Sequence, residues 1–124
     1  MEHARRELDY LWSILGDSRL SCLDVATNLQ VVLYHYAAHL LVPEHITEAE
    51  LRGKLADKHT GEHPLYNLIE VMREHGLAGE DFVSLARRVA ELNLRIARDP
   101  EADVGYAEVK ELLLAAEQLL EGEG

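Results

Sequence analysis

Apolar residues recur along this chain every three to four positions, and no stretch alternates apolar and polar over the length of a strand. The period predicts helices throughout. Leu8, Leu11, Trp12 and Leu15 place a first helix over 2–15, ended by Gly16, with Asp17, Ser18 and Ser21 offering caps for the next. Over 19–41 the apolar positions form one wide face through Cys22, Val25, Ala26, Leu29, Val32, Leu33, Tyr36 and Leu40. Val31, Ala37, Ala38 and Leu41 widen it further, which predicts a central helix closed by Pro43. Thr47-Glu48-Ala49-Glu50 is a capping box that starts a short helix over 47–58, thinly apolar through Leu51 and Leu55. Pro64 suits the first position of a fourth helix, with Leu65, Leu68, Ile69 and Met72 as its stripe. The segment 80–98 has Phe82, Leu85, Ala86, Val89, Leu92 and Ile96 on one side and Arg87, Arg88, Glu91, Arg95 and Arg98 on the other. Pro100 ends it. A last helix over about 104–121 carries Val109, Leu112, Leu113, Ala116, Leu119 and Leu120. The expected architecture is all-α, one domain spanning 1–124, an up-and-down bundle of four to six helices.

Composition supports this and narrows the function. At 124 residues the chain can bury enough surface for a core without metal or disulfide staples. With one Phe and one Trp, that core is built mainly from Leu, Val and Ala. The formal charge is -11, and both halves are acidic: 6 basic against 10 acidic residues in 1–62, and 6 against 13 in 63–124. Binding to nucleic acid rests on neutralising phosphates with Lys and Arg, so tight binding to DNA or RNA is not expected, nor docking on anionic membranes. Cys22 is the only cysteine, there is no membrane-length apolar run, and the first residues lack the order of a signal peptide. These features fit a cytoplasmic protein.

Glycine-rich phosphate loops, C-x-x-C pairs and a serine-nucleophile elbow are all missing from the sequence. The remaining chemistry is histidine, seven in all. His35 and His39, four apart on the central helix, point to one side and extend a polar stripe through Asp24 and Asn28. Such a pair can share a metal, but a tetrahedral site needs a third ligand, for which His59 and His63 are the candidates. The plainer reading has both rings hydrogen-bonded within the bundle or at a dimer face. No Glu-x-x-His of the di-metal bundles is present, so no metal or cofactor is expected. Asn93 falls on the core side of its helix, either to fix helix register or to bind a ligand. Arg87, Arg88, Arg95 and Arg98 are the one basic cluster. It suits a phosphate or an acidic partner, or simply a salt-bridged surface with Glu91, Asp99 and Glu101, including an i,i+4 pair between Glu91 and Arg95.

The order of these features resembles the HEPN domain family (higher eukaryotes and prokaryotes nucleotide-binding) in its small prokaryotic form. The Ala-rich stretch from Ala26 to Leu41 is similar to the family's second helix. His63-Pro64-Leu65-Tyr66-Asn67-Leu68 resembles its H-x-L-x-x-L. Leu92-Asn93 followed by Ala97-Arg98-Asp99-Pro100-Glu101 resembles its L-N…A-R-Y-P-D, with Asp99 in place of the Tyr. The resemblance implies an HEPN-like bundle that forms homodimers and pairs with a small nucleotidyltransferase, often as a toxin–antitoxin couple. Many members are RNases that use R-x4-H. No Arg here has His five positions later, and the capped helix at 47–58 is a further departure. The expectation is therefore a non-catalytic nucleotide- or partner-binding module, with His35, His39, Asn93, Arg95 and Arg98 as candidate ligand-binding residues and none catalytic. The alternatives are a metal-dependent bundle enzyme built on His35 and His39, which a third converging ligand would reveal, and a dimeric scaffold. Apolar surface beyond the needs of a small bundle, on the central and 80–98 helices, also points to a homodimer, through the first two helices or the last two.

Overall fold

A computed structural model describes residues 1–56 and 63–123. Among these residues there are six helices: α1 (Glu2–Ile14), α2 (Arg19–Leu41), α3 (Glu48–Ala56), α4 (Pro64–Glu74), α5 (Glu80–Arg98) and α6 (Tyr106–Glu123). No strand occurs among the described residues.

Local chemistry sets the boundaries. Gly16 follows α1, and its N–H donates to Ser21 Oγ at 2.7 Å; that hydroxyl donates in turn to the Ile14 carbonyl at 2.5 Å. One serine thus ties the end of α1 to the start of α2, where Ser18 Oγ accepts from the Ser21 N–H. The capping box at α3 forms, with the Glu50 N–H donating to Thr47 Oγ1 at 3.1 Å and the Thr47 N–H to Glu50 Oε1 at 3.4 Å. The second half of the expected 47–58 helix, with His59 beyond it, lies partly outside the described residues. At the end of α4, Gly76 adopts φ +71°. The Leu77 N–H then reaches the Met72 carbonyl at 2.8 Å and the Gly76 N–H reaches Arg73 at 3.0 Å, a Schellman closure that a glycine makes without strain.

α2 is the axis of the bundle and packs against α1, α4, α5 and α6. Its sides carry Cys22, Val25, Ala26, Leu29, Val32, Leu33, Tyr36, Ala37 and Leu41, all buried. A helix apolar nearly all round is stable only when surrounded, and its neighbours supply Leu8, Leu11, Leu68, Met72, Phe82, Val89, Leu112 and Leu113. Cross-helix pairs show antiparallel neighbours. His3 meets His35 between α1 and α2, Tyr36 stacks on Phe82 between α2 and α5, and Arg88 and Arg95 reach Glu111 and Glu108 between α5 and α6. Arg5 on α1 binds Glu117 on α6, and Arg19 at the start of α2 donates to the carbonyls of Pro100 and Ala102. α3 and α4 form a side pair on this frame. Asn67, buried on α4, donates to the Leu55 carbonyl at 3.2 Å, and Lys54 pairs with Glu74 at 3.2 Å.

The surplus of apolar surface expected from the sequence is not found among the described residues. Four helices of the same chain cover α2, and the core face of α5 is buried. The large hydrophobic residues left exposed among the described ones are Tyr10, Leu20, Tyr106 and Leu114, scattered over three helices. No helix among the described residues is long and apolar enough to cross a membrane.

Candidate functional site

His35 and His39 do point the same way, toward the start of α1, but each meets a different group. The His35 ring stacks on His3 with centroids 5.5 Å apart and planes 29° apart, and Tyr34 meets it edge-on. Burial holds the half-buried His35 ring below the ordinary imidazole range. His3 pushes in the same direction, and Glu7 opposes them. His39 is exposed, its Nδ1 2.8 Å from the α-amine of Met1. Asp24 is exposed, and Asn28 turns back to donate to its carbonyl at 2.8 Å. His63, a candidate third ligand, is buried at the start of α4, where its Nδ1 accepts the Leu65 N–H at 3.0 Å. Burial also pushes this ring below its usual range. His59 lies outside the described residues. Among the described residues no three or more His, Cys, Asp or Glu side chains are disposed to hold a metal ion. The feature that would have favoured a metal enzyme over a binding module is therefore missing from that part of the chain.

Asn93 is half-buried on α5, and its Nδ2 is buried without a hydrogen-bond partner among the described residues, so no hydrogen bond to another described helix fixes a register there. The Nε1 of Trp12 is likewise buried and unpartnered among them.

The arginine face is real, but its partners differ from those nearest in sequence. Arg95 pairs with Glu108 at 2.6 Å instead of Glu91, and Arg88 with Glu111 at 3.0 Å. Both acids come from α6. The antiparallel packing of α6 on α5 brings residues 13 and 23 positions away closer than any acid on α5. Arg98 closes the row at the end of α5. Arg87, by contrast, makes no ion pair or hydrogen bond among the described residues. It stands at the rim of an open concavity of about 520 Å³ between α4 and α5, with Arg73 and Arg88 beside it and Ala78, Val83 and Ser84 among its lining. Arg73 leans on Glu70 at 3.0 Å, half exposed. Arg88 also borders a second hollow of about 290 Å³ between α5 and α6, which runs on to Arg95.

Three guanidiniums at one opening, one of them unpaired, can take a phosphate or carboxylate through paired N–H donors. The small apolar patch at Ala78 and Val83 can take the flat part of a ligand. Two negative side chains at the same opening, Glu80 and Glu91, limit the charge it will accept. The periodicity of α5 marks Arg87, Arg88, Arg95 and Arg98, but it does not mark Arg73, which only the packing of α4 on α5 brings in. No protein-family model, no curated protein and no solved structure matches this chain.

Proposed function

We propose that this chain is a non-catalytic, HEPN-like binding module that takes the phosphates of a nucleotide on the arginine face of α5. One observation carries this reading: Arg87 stands unpaired among the described residues, between Arg73 and Arg88, at a concavity of mononucleotide size. Three supports stand beside it: the ordered resemblance to HEPN sequences, the absence of R-x4-H in the sequence, and a charge of -11 that disfavours a long polyanion but not a single nucleotide. Within the same reading the chain pairs with a second copy and with a small nucleotidyltransferase as a toxin–antitoxin couple. Both pairings rest on the resemblance alone.

The test is calorimetric titration with ATP at two salt concentrations. Binding that weakens with salt and falls by about tenfold in Arg87→Ala, the loss of roughly one charge-assisted contact, is expected. No ATP binding, or binding indifferent to Arg87 and Arg88, overturns the reading. Purified protein is expected not to cleave RNA.

A further inference from the structure

Two histidines that the sequence leaves 30 positions apart meet at the opposite end of α4 from its N-terminal cap. His45 lies in the turn after α2, and His75 caps the end of α4. Their ring centroids are 5.3 Å apart, with the planes at 57°. Hydrogen-bonded turns hold both backbones. The His45 and Ile46 N–H groups both reach the Leu41 carbonyl, at 2.9 and 3.2 Å, and the buried Ile46 side chain anchors the loop. His75 is fixed by the Schellman closure through Gly76 and Leu77. Neither ring makes a hydrogen bond or ion pair among the described residues, so the ring nitrogens are not used by the fold. His45 is exposed and His75 half-buried, so the pair opens to solvent.

We infer that His45 and His75 form a two-imidazole site for a divalent transition-metal ion of the zinc, nickel or copper class. Two imidazoles on one zinc ion, at ~2.0–2.1 Å and a tetrahedral angle, have ring centroids roughly 5 Å apart, close to the spacing seen here. Imidazole nitrogen suits these ions and not magnesium or calcium, which take oxygen donors. Glu44 immediately precedes His45 and makes no ion pair among the described residues, while Glu74 is held by Lys54 at 3.2 Å. No third His, Cys, Asp or Glu among the described residues completes the set, so water fills the remaining positions and the ion exchanges. On the α2 stripe, by contrast, His39 is engaged by the Met1 amine, and the His35 ring stacks on His3 with centroids 5.5 Å apart.

The experiment is calorimetric titration of the full chain with zinc chloride at pH 7.5 and 5.5, with His ring NMR signals followed in parallel. One zinc per chain is expected at pH 7.5, with selective changes at the His45 and His75 rings. Binding should be lost at pH 5.5, because each ligating nitrogen must be deprotonated. His45→Ala and His75→Ala should each weaken binding by about ten- to a hundredfold, and His35→Ala should leave it unchanged. His45 is exposed and His75 only half-buried, and an unchanged helical spectrum checks that both variants fold. No zinc uptake, uptake that survives both variants, or uptake that depends on His35 overturns the inference. None of these outcomes depends on nucleotide binding at Arg87, so the two readings fail separately.

Discussion

His63 ties the start of α4 to pH through one hydrogen bond. Its Nδ1 accepts the Leu65 N–H at 3.0 Å, which an imidazole can do only with that nitrogen unprotonated and its proton on Nε2. The ring is buried, with Tyr66 edge-on at a centroid distance of 6.4 Å. Protonating Nδ1 removes the acceptor and leaves a charge in a buried site, so the folded ring titrates below its unfolded value of about 6.5. Because the folded value is the lower one, the unfolded chain takes up the proton first as pH falls. The stability this group contributes is present above about pH 6.5 and drains as pH falls from there toward the folded value. An N-cap to a helix is worth ~0.5–2 kcal/mol, typically ~1. His63→Ala, which loses both the cap and the buried ring, should therefore unfold ~1–2 kcal/mol more easily at pH 8. For a domain this size, that is a fall in Tm of roughly 3–8 °C. His63→Asn keeps an N-cap acceptor but cannot titrate. Urea unfolding of wild type and His63→Asn from pH 8 to pH 5 separates the two effects. His35, whose ring is also held low, and the carboxylates titrate in both proteins and cancel. The unfolding free energies should run parallel above about pH 7. Below that, wild type should lose ground to the Asn variant by up to the value of the cap. Curves that stay parallel down to pH 5 would refute the neutral-cap argument.

Other outcomes follow from the packing. Phe82→Ala removes a fully buried ring stacked on Tyr36 at 5.5 Å between α2 and α5, and should cost ~3–5 kcal/mol in denaturant unfolding at unchanged helical signal in water. Gly76→Ala forces an L residue to φ +71° although nothing crowds a Cβ there, so backbone strain alone should cost ~1–2 kcal/mol. Arg95 and Glu108 are both about half exposed, and a double-mutant cycle on them should give a coupling below about 1 kcal/mol that shrinks in high salt. A coupling several times larger would mean the α5–α6 arginine row is structural and not available to a ligand.

The sequence by itself determined the elements. A bundle of four to six helices follows from a 3.6-residue apolar period punctuated by Gly16, Pro43, the Thr47 box, Pro64 and Pro100. The bounds of α2 and α5 agree with the pattern because caps and prolines act on the chain locally. α2 was also legible as central, since a helix apolar nearly all round must be surrounded. What the pattern could not show is who surrounds it. The apolar width of α2 suggested a second copy of the chain, but α4, α5 and α6 fold back to cover it. The same limit governs the candidate site. Helical spacing put His35 and His39 on one side, but only packing decided that His3 and the Met1 amine stand opposite them and that His63 is spent as a cap. It likewise decided that Arg88 and Arg95 answer to Glu111 and Glu108 on α6, that Arg73 joins Arg87 from α4, and that His45 meets His75. Contacts within one helix repeat at three and four residues and can be read from the chain. Contacts between helices are set by which ridges pack into which grooves, and that is a property of the assembled core.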